Sequence, residues 1–174
     1  MTLEELWELF PIVLCPHNLL WKYWALEEIE WLSDLLAVFQ PIINHIGSTA
    51  IPDIFAKPII DILVELSPSI EWSSVKEIME TNGYICMSES DSRISFNKGY
   101  TPTGYADRVF HIHFHRIGDN DEIRFRDYLI ENPEVAKEYE LLKQSLLPKY
   151  KNDRDGYTDS KTMFIQSILQ LAKQ

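Results

Sequence analysis

The 174 residues carry 16 basic against 27 acidic side chains, a net charge of −11, and 45% of them are hydrophobic. That acidic surplus excludes non-specific attachment to a nucleic-acid backbone or to an anionic membrane, while length and hydrophobic share suit one soluble domain spanning 1–174. Cys15 and Cys86 stand alone, with no metal-ligand spacing and no framework of bridges, which fits a reducing, cytoplasmic setting.

The opening MTLEELWELF is acidic where an export signal would be basic, and Thr2 to Phe10 reads as a short helix stopped by Pro11. Asn18 can cap a long helix reaching about Phe39, in which Trp21, Trp24, Ala25, Leu32, Leu35 and Leu36 recur at helical spacing. Pro41 ends it, and Ile42 to Ile46 forms a strand running directly into Gly47-Ser48-Thr49. Small residues in such a turn let backbone N–H groups approach an anion, and the two hydroxyls add donors. Lys57-Pro58 then introduces the apolar strand Ile59 to Val64, interrupted by Asp61. A carboxylate in a hydrophobic strand is costly unless a metal, a cation or water meets it. Alternation puts Asp61, Leu63 and Glu65 on one strand face, and Glu65, beside Ser67-Pro68, reads as a solvated strand end.

Ser69 to Asn82 reads as a crossover helix, capped by Ser73 or Ser74 and stopped at Asn82-Gly83. Tyr84 to Met87 and Arg93 to Asn97 are expected as antiparallel strands, followed by a loop from Gly99 to Asp107, either a cover over the site or plain surface. Arg108 to Phe114 is the second informative strand, because His111, His113 and His115 alternate with Ile112 and Phe114 and share one face. Two such imidazoles can converge on a metal or phosphate if Asp61 lies on a neighbouring strand; hydrogen-bonded histidines on a polar sheet face are the plainer reading. Helices are expected over Glu122 to Glu131 and from Asn132-Pro133 to about Leu147, the first leaving Arg126 to meet either a phosphate or a surface carboxylate such as Asp127. Lys149 to Asp155 reads as a charged connector, and Thr158 as the cap of a final helix with Lys161 in its first turn, where a lysine opposes the macrodipole.

HIGSTAIP, AKPIIDILV, FHIHF, FRDYL and YTDSK, spread from about Pro16 to about Leu171, resemble the GrpB family, a group of bacterial proteins placed in the nucleotidyltransferase superfamily. The resemblance implies an α/β fold with a mixed sheet flanked by helices. It also implies metal-assisted transfer of a nucleotidyl or phosphoryl group to a small acceptor. Asp61, with His111 or His113, would hold a divalent ion, Mg²⁺ by the superfamily's habit, and these three would be the catalytic set. Gly47, Ser48, Thr49 and Lys57 would bind the phosphates of a nucleotide or similar ligand, and Arg126 or Lys161 would neutralise developing charge.

The chain departs from the patterns twice. The superfamily carries a second carboxylate where this chain has Leu63, and the family usually has glycine at Asp53. Loss of the second carboxylate keeps a non-catalytic module for nucleotides or phosphates as the alternative. HIHFHRI also nearly fits the pattern of histidine-triad hydrolases, with Arg116 the exception, and that chemistry would run through His113.

Overall fold

The computed structural model describes residues 2–150 and 152–173. Five strands form one sheet in the order β1-β2-β5-β4-β3, with β1 at Ile42–Ile46, β2 at Ile59–Leu66, β3 at Ile85–Glu89, β4 at Arg93–Thr101 and β5 at Gly104–Arg116. Only β2 and β5 run parallel, so the sheet is mixed, and the parallel pair sits in its centre.

Period-two alternation divides this sheet chemically. Ile60, Ile62, Val64, Phe110, Ile112 and Phe114 point to one face, where helices α2 (Leu20–Leu35) and α3 (Trp72–Thr81) cover them with Trp21, Ala25, Leu32, Val75 and Met79. Trp21 is 1% exposed, so it packs the core. The opposite face is polar. Register pairs Asp61 with His111, Leu63 with His113 and Glu65 with His115, and β4 continues the rows with Asn97, Ser95 and Arg93. Helices α4 (Asp121–Glu131), α5 (Pro133–Tyr150) and α6 (Arg154–Ala172) build a second core around Ile51, Ile54, Phe125, Leu129, Tyr139 and Ile168 on that side. A short α1 (Leu3–Leu9) begins with a capping box between Thr2 and Glu5.

Several boundaries differ from the sequence reading. The long helix ends at Leu35 and tightens into a 3₁₀ turn, Ala37–Phe39, before Gln40 takes φ 52. Glu71, not Ser73 or Ser74, precedes α3. The segment Gly99 to Asp107 is no loop: β4 and β5 continue as a hairpin around Pro102-Thr103, and Gly99 marks the register shift where an added Cβ would collide with the Arg108 carbonyl. Helix α5 runs through Pro148 to Tyr150, and α6 starts at Arg154, capped by Asp153 rather than Thr158. Lys161 therefore lies in the second turn of α6 or beyond, and the argument from an opposed dipole falls away. Glu65 is 2% exposed rather than solvated; its Oε1 accepts from the Gly118 N–H at 2.9 Å and from Asn120 Nδ2 at 3.1 Å. Asp53 holds φ 64, a left-handed conformation that accounts for the family's glycine there.

Candidate functional site

Asp61 enters the polar face at the centre of the sheet, where β2 and β5 are parallel neighbours. His113 Nε2 stands 3.0 Å from its Oδ1, and His111 Nδ1 lies 3.8 Å from the same oxygen. One ligand atom from each of Asp61, His111 and His113 falls within 4.8 Å of the others, so the set can close on a single cation. Burial alone would raise the Asp61 carboxyl, but the His113 hydrogen bond and the charges of His113, His111 and Lys57 bring it down to about 2. Burial also lowers His111 to about 4 against the pull of Asp61, leaving its imidazole neutral at pH 7, the form that binds metals.

The outer shell of His111 is defined as well. Its Nε2 is 2.6 Å from the Tyr100 hydroxyl, and Arg154 Nη1 donates to that same oxygen at 2.6 Å. With Nε2–H donating to Tyr100, the Nδ1 lone pair faces Asp61, the orientation a metal ligand needs.

Gly47 closes the site from the β1 side. It holds φ 76, and a Cβ there would stand 2.7 Å from Asp61 Oδ2, so glycine is what lets the turn lie on the carboxylate. Ser48 follows in a 3₁₀ turn, Ser48–Ala50, and borders a cavity of about 110 Å³ together with Gly47, Asp61, His111, Lys57, Lys143 and Lys161. Burial, then mutual repulsion, lowers Lys57 and Lys143 to about 7; burial lowers Lys161 to about 8, opposed by Asp61. The ring of Tyr157 backs Lys57 at 5.4 Å and Lys161 at 4.6 Å, and Tyr139 backs Lys143 at 4.8 Å. Lys143 Nζ also donates to the Phe55 carbonyl at 2.7 Å. Among the described residues neither Lys57 nor Lys161 forms an ion pair.

The sequence reading thus brings Gly47, Ser48, Lys57, Asp61, His111, His113 and Lys161 to one place. It missed Lys143, Tyr100, Tyr139 and Arg154, whose positions depend on how α5, α6 and the hairpin dock. Two candidates lie elsewhere. The Thr49 hydroxyl is buried and 2.9 Å from His45 Nε2, outside the cavity lining. Arg126 donates to the His45 carbonyl at 2.9 Å and pairs with Asp127 at 2.8 Å, tying α4 to β1. His115 is 5% exposed, and its Nδ1 lies 2.7 Å from the Asp119 carbonyl, so the third imidazole stays apart from the Asp61 cluster.

Comparison with known proteins agrees with this fold. The "Glutamate-rich protein GrpB" of Alkalihalophilus pseudofirmus is 38% identical over 165 residues, covering 91% of this chain and 94% of that one. The protein YqkA of Bacillus subtilis is 34% identical, covering 91% of this chain but only 46% of its own greater length. The crystal structure of the conserved protein GrpB from Enterococcus faecalis superposes with a TM-score of 0.77 at 30% identity, covering 92% of this chain and 96% of that one. Cid1 poly(U) polymerase, in its MgGTP-bound crystal structure, matches at a TM-score of 0.52 with 12% identity over 85% of this chain and 46% of its own, a likeness of fold: the sheet and helices are nucleotidyltransferase-like. The model of the GrpB protein family matches residues 11–171, and the chain belongs to that family.

Proposed function

We propose that this chain binds a nucleotide or another small phosphate-bearing ligand with one divalent cation, and transfers a nucleotidyl or phosphoryl group from it to a small acceptor. The observation that carries the reading is the convergence of Lys57, Lys143 and Lys161 on the cavity that Gly47, Ser48, Asp61 and His111 also line. Partly or wholly desolvated ammonium groups are costly without an anion, and a phosphate supplies several acceptors at once. The lysines and Ser48 would hold the phosphate, while Tyr100 and Arg154 keep His111 turned toward Asp61. Asp61, His111 and His113 would hold the cation, whose chemistry is to offset charge on the phosphoryl oxygens during displacement. Two imidazoles and one carboxylate suit Mn²⁺ or Zn²⁺ better than Mg²⁺, which prefers oxygen ligands, so the Mg²⁺ expected from the superfamily gives way to these.

With Leu63 in place of a second carboxylate and only one cluster of three metal-ligating groups found among the described residues, a two-metal clamp is not part of the proposal. The same substitution favours a second reading, binding without turnover. Calorimetric titration of a nucleoside triphosphate with Mn²⁺, Zn²⁺ or Mg²⁺, run beside a label-transfer assay, separates the two. Asp61→Asn should abolish metal-dependent binding and any transfer, and Ser48→Ala should weaken binding by about 0.5–1.5 kcal/mol, one neutral hydrogen bond. Absence of binding at millimolar ligand would sink both readings; binding without transfer would leave the second.

A further inference from the structure

Gly47, Asp61 and Tyr139 form a wall with a cavity on each side. Beyond the lysine cavity lies a larger one, about 360 Å³, within the range of small-molecule sites. Its walls are Ile46, Phe125, Ile165 and Leu169, and His113 reaches it from the Asp61 side. The charges facing it are reversed. Asp121 and Glu122 line it, no lysine among the described residues does, and Arg93 in its lining spends Nε and Nη2 on the two Asp119 oxygens, each at 2.8 Å. Glu122 Oε2 is buried and has no hydrogen-bond partner among the described residues. His115 Nδ1 is 3.9 Å away and committed to the Asp119 carbonyl. The Glu122 side chain as a whole is 34% exposed, so an ammonium in the cavity can meet its open part, where no donor among the described residues competes.

We propose that this second cavity is a binding site for a small amine: an apolar body against Phe125, Ile165 and Leu169, with an ammonium group donating to Glu122. The two cavities sort their ligands by charge, anion beside Lys143 and cation beside Glu122, with Asp61 and Gly47 between them.

The test compares three probes of similar shape, 2-phenylethylamine, 2-phenylethanol and 3-phenylpropionate, by ligand-observed NMR and titration against the whole chain. The amine should bind about fivefold tighter than the alcohol, the upper range for a partly exposed ion pair, and the carboxylate more weakly than either. Glu122→Gln should bring amine and alcohol to equal affinity. Equal binding of amine and alcohol to the unaltered protein, preference for the carboxylate, or no binding of any probe overturns the proposal without recourse to a variant. Tripolyphosphate, titrated separately with and without Mn²⁺, reports on the lysine cavity alone. Amine selectivity without tripolyphosphate binding would retain this subsite and remove the phosphate reading, and the converse would do the opposite.

Discussion

At the scale of single residues, Gly47 carries a double constraint. Its φ of 76 suits glycine, and a Cβ would press on Asp61 Oδ2 at 2.7 Å. Gly47→Ala should therefore cost about 1–3 kcal/mol in urea unfolding, the range for backbone strain at a functional turn, and should weaken metal binding as Asp61 is displaced. A change within about 0.5 kcal/mol, the range of an ordinary surface substitution, would show the turn to be slack. Lys143 predicts a pH dependence with two opposite arms. Burial lowers its folded-state pKa from 10.5 to about 7, with Lys161 and Lys57 adding to the effect. Between about pH 7 and 10.5 the unfolded chain thus binds more protons than the folded one at this position, so the ligand-free protein should gain stability as pH rises through that window. Affinity for tripolyphosphate should fall over the same window, because the ammonium that meets the anion is lost. Lys143→Met should shrink both arms without abolishing them, because Lys57 and Lys161 titrate in the same window, and thermal melts and titrations at pH 6.5, 8 and 9.5 read the difference directly.

At the scale of elements, the rows of polar residues were legible because a strand's period is fixed: Asp61, His111 and His113 had to share faces on their own strands, and parallel register of β2 with β5 made it one face. What lay hidden were cases where glycine or proline served a regular element. Gly99, Pro102 and Gly104 looked like a loop, yet the first sits at the bulge of β4 and the others belong to a two-residue hairpin turn and its exit. Gly156 similarly concealed the start of α6, where its N–H donates to Asp153 Oδ1 at 3.0 Å. Removing that cap with Asp153→Ala should cost about 1 kcal/mol by urea unfolding, whereas Thr158→Ala, a change inside the helix, should cost less. Lys143 was unreadable for another reason. Helix α5 has lysines at Lys137, Lys143 and Lys149, and only its docking against Phe55 and Tyr139 decides which of them turns inward.

At the scale of the whole molecule, the candidate site draws on β1, β2, β5, α5 and α6, so a cation held there joins segments far apart in the chain. Metal binding should consequently stabilise the entire fold: Mn²⁺ at 100 times its dissociation constant should add about 2.7 kcal/mol, and Asp61→Asn should remove the increment in a thermal melt. An increment that survives the substitution would place the ion elsewhere. The central β2–β5 pairing has a temporal consequence too. Asp61 and His113 are 52 residues apart, with α3, β3 and β4 between them. Closing so long a loop precedes any reward from the contact, which makes this parallel pairing a slow step of folding. A nascent chain has β1, the Gly47 turn and Asp61 well before β5 is synthesised, and α5 and α6 come last of all. The acidic strand therefore spends part of its synthesis without its histidines, and a cation that needed all three side chains could enter only once His113 has been made.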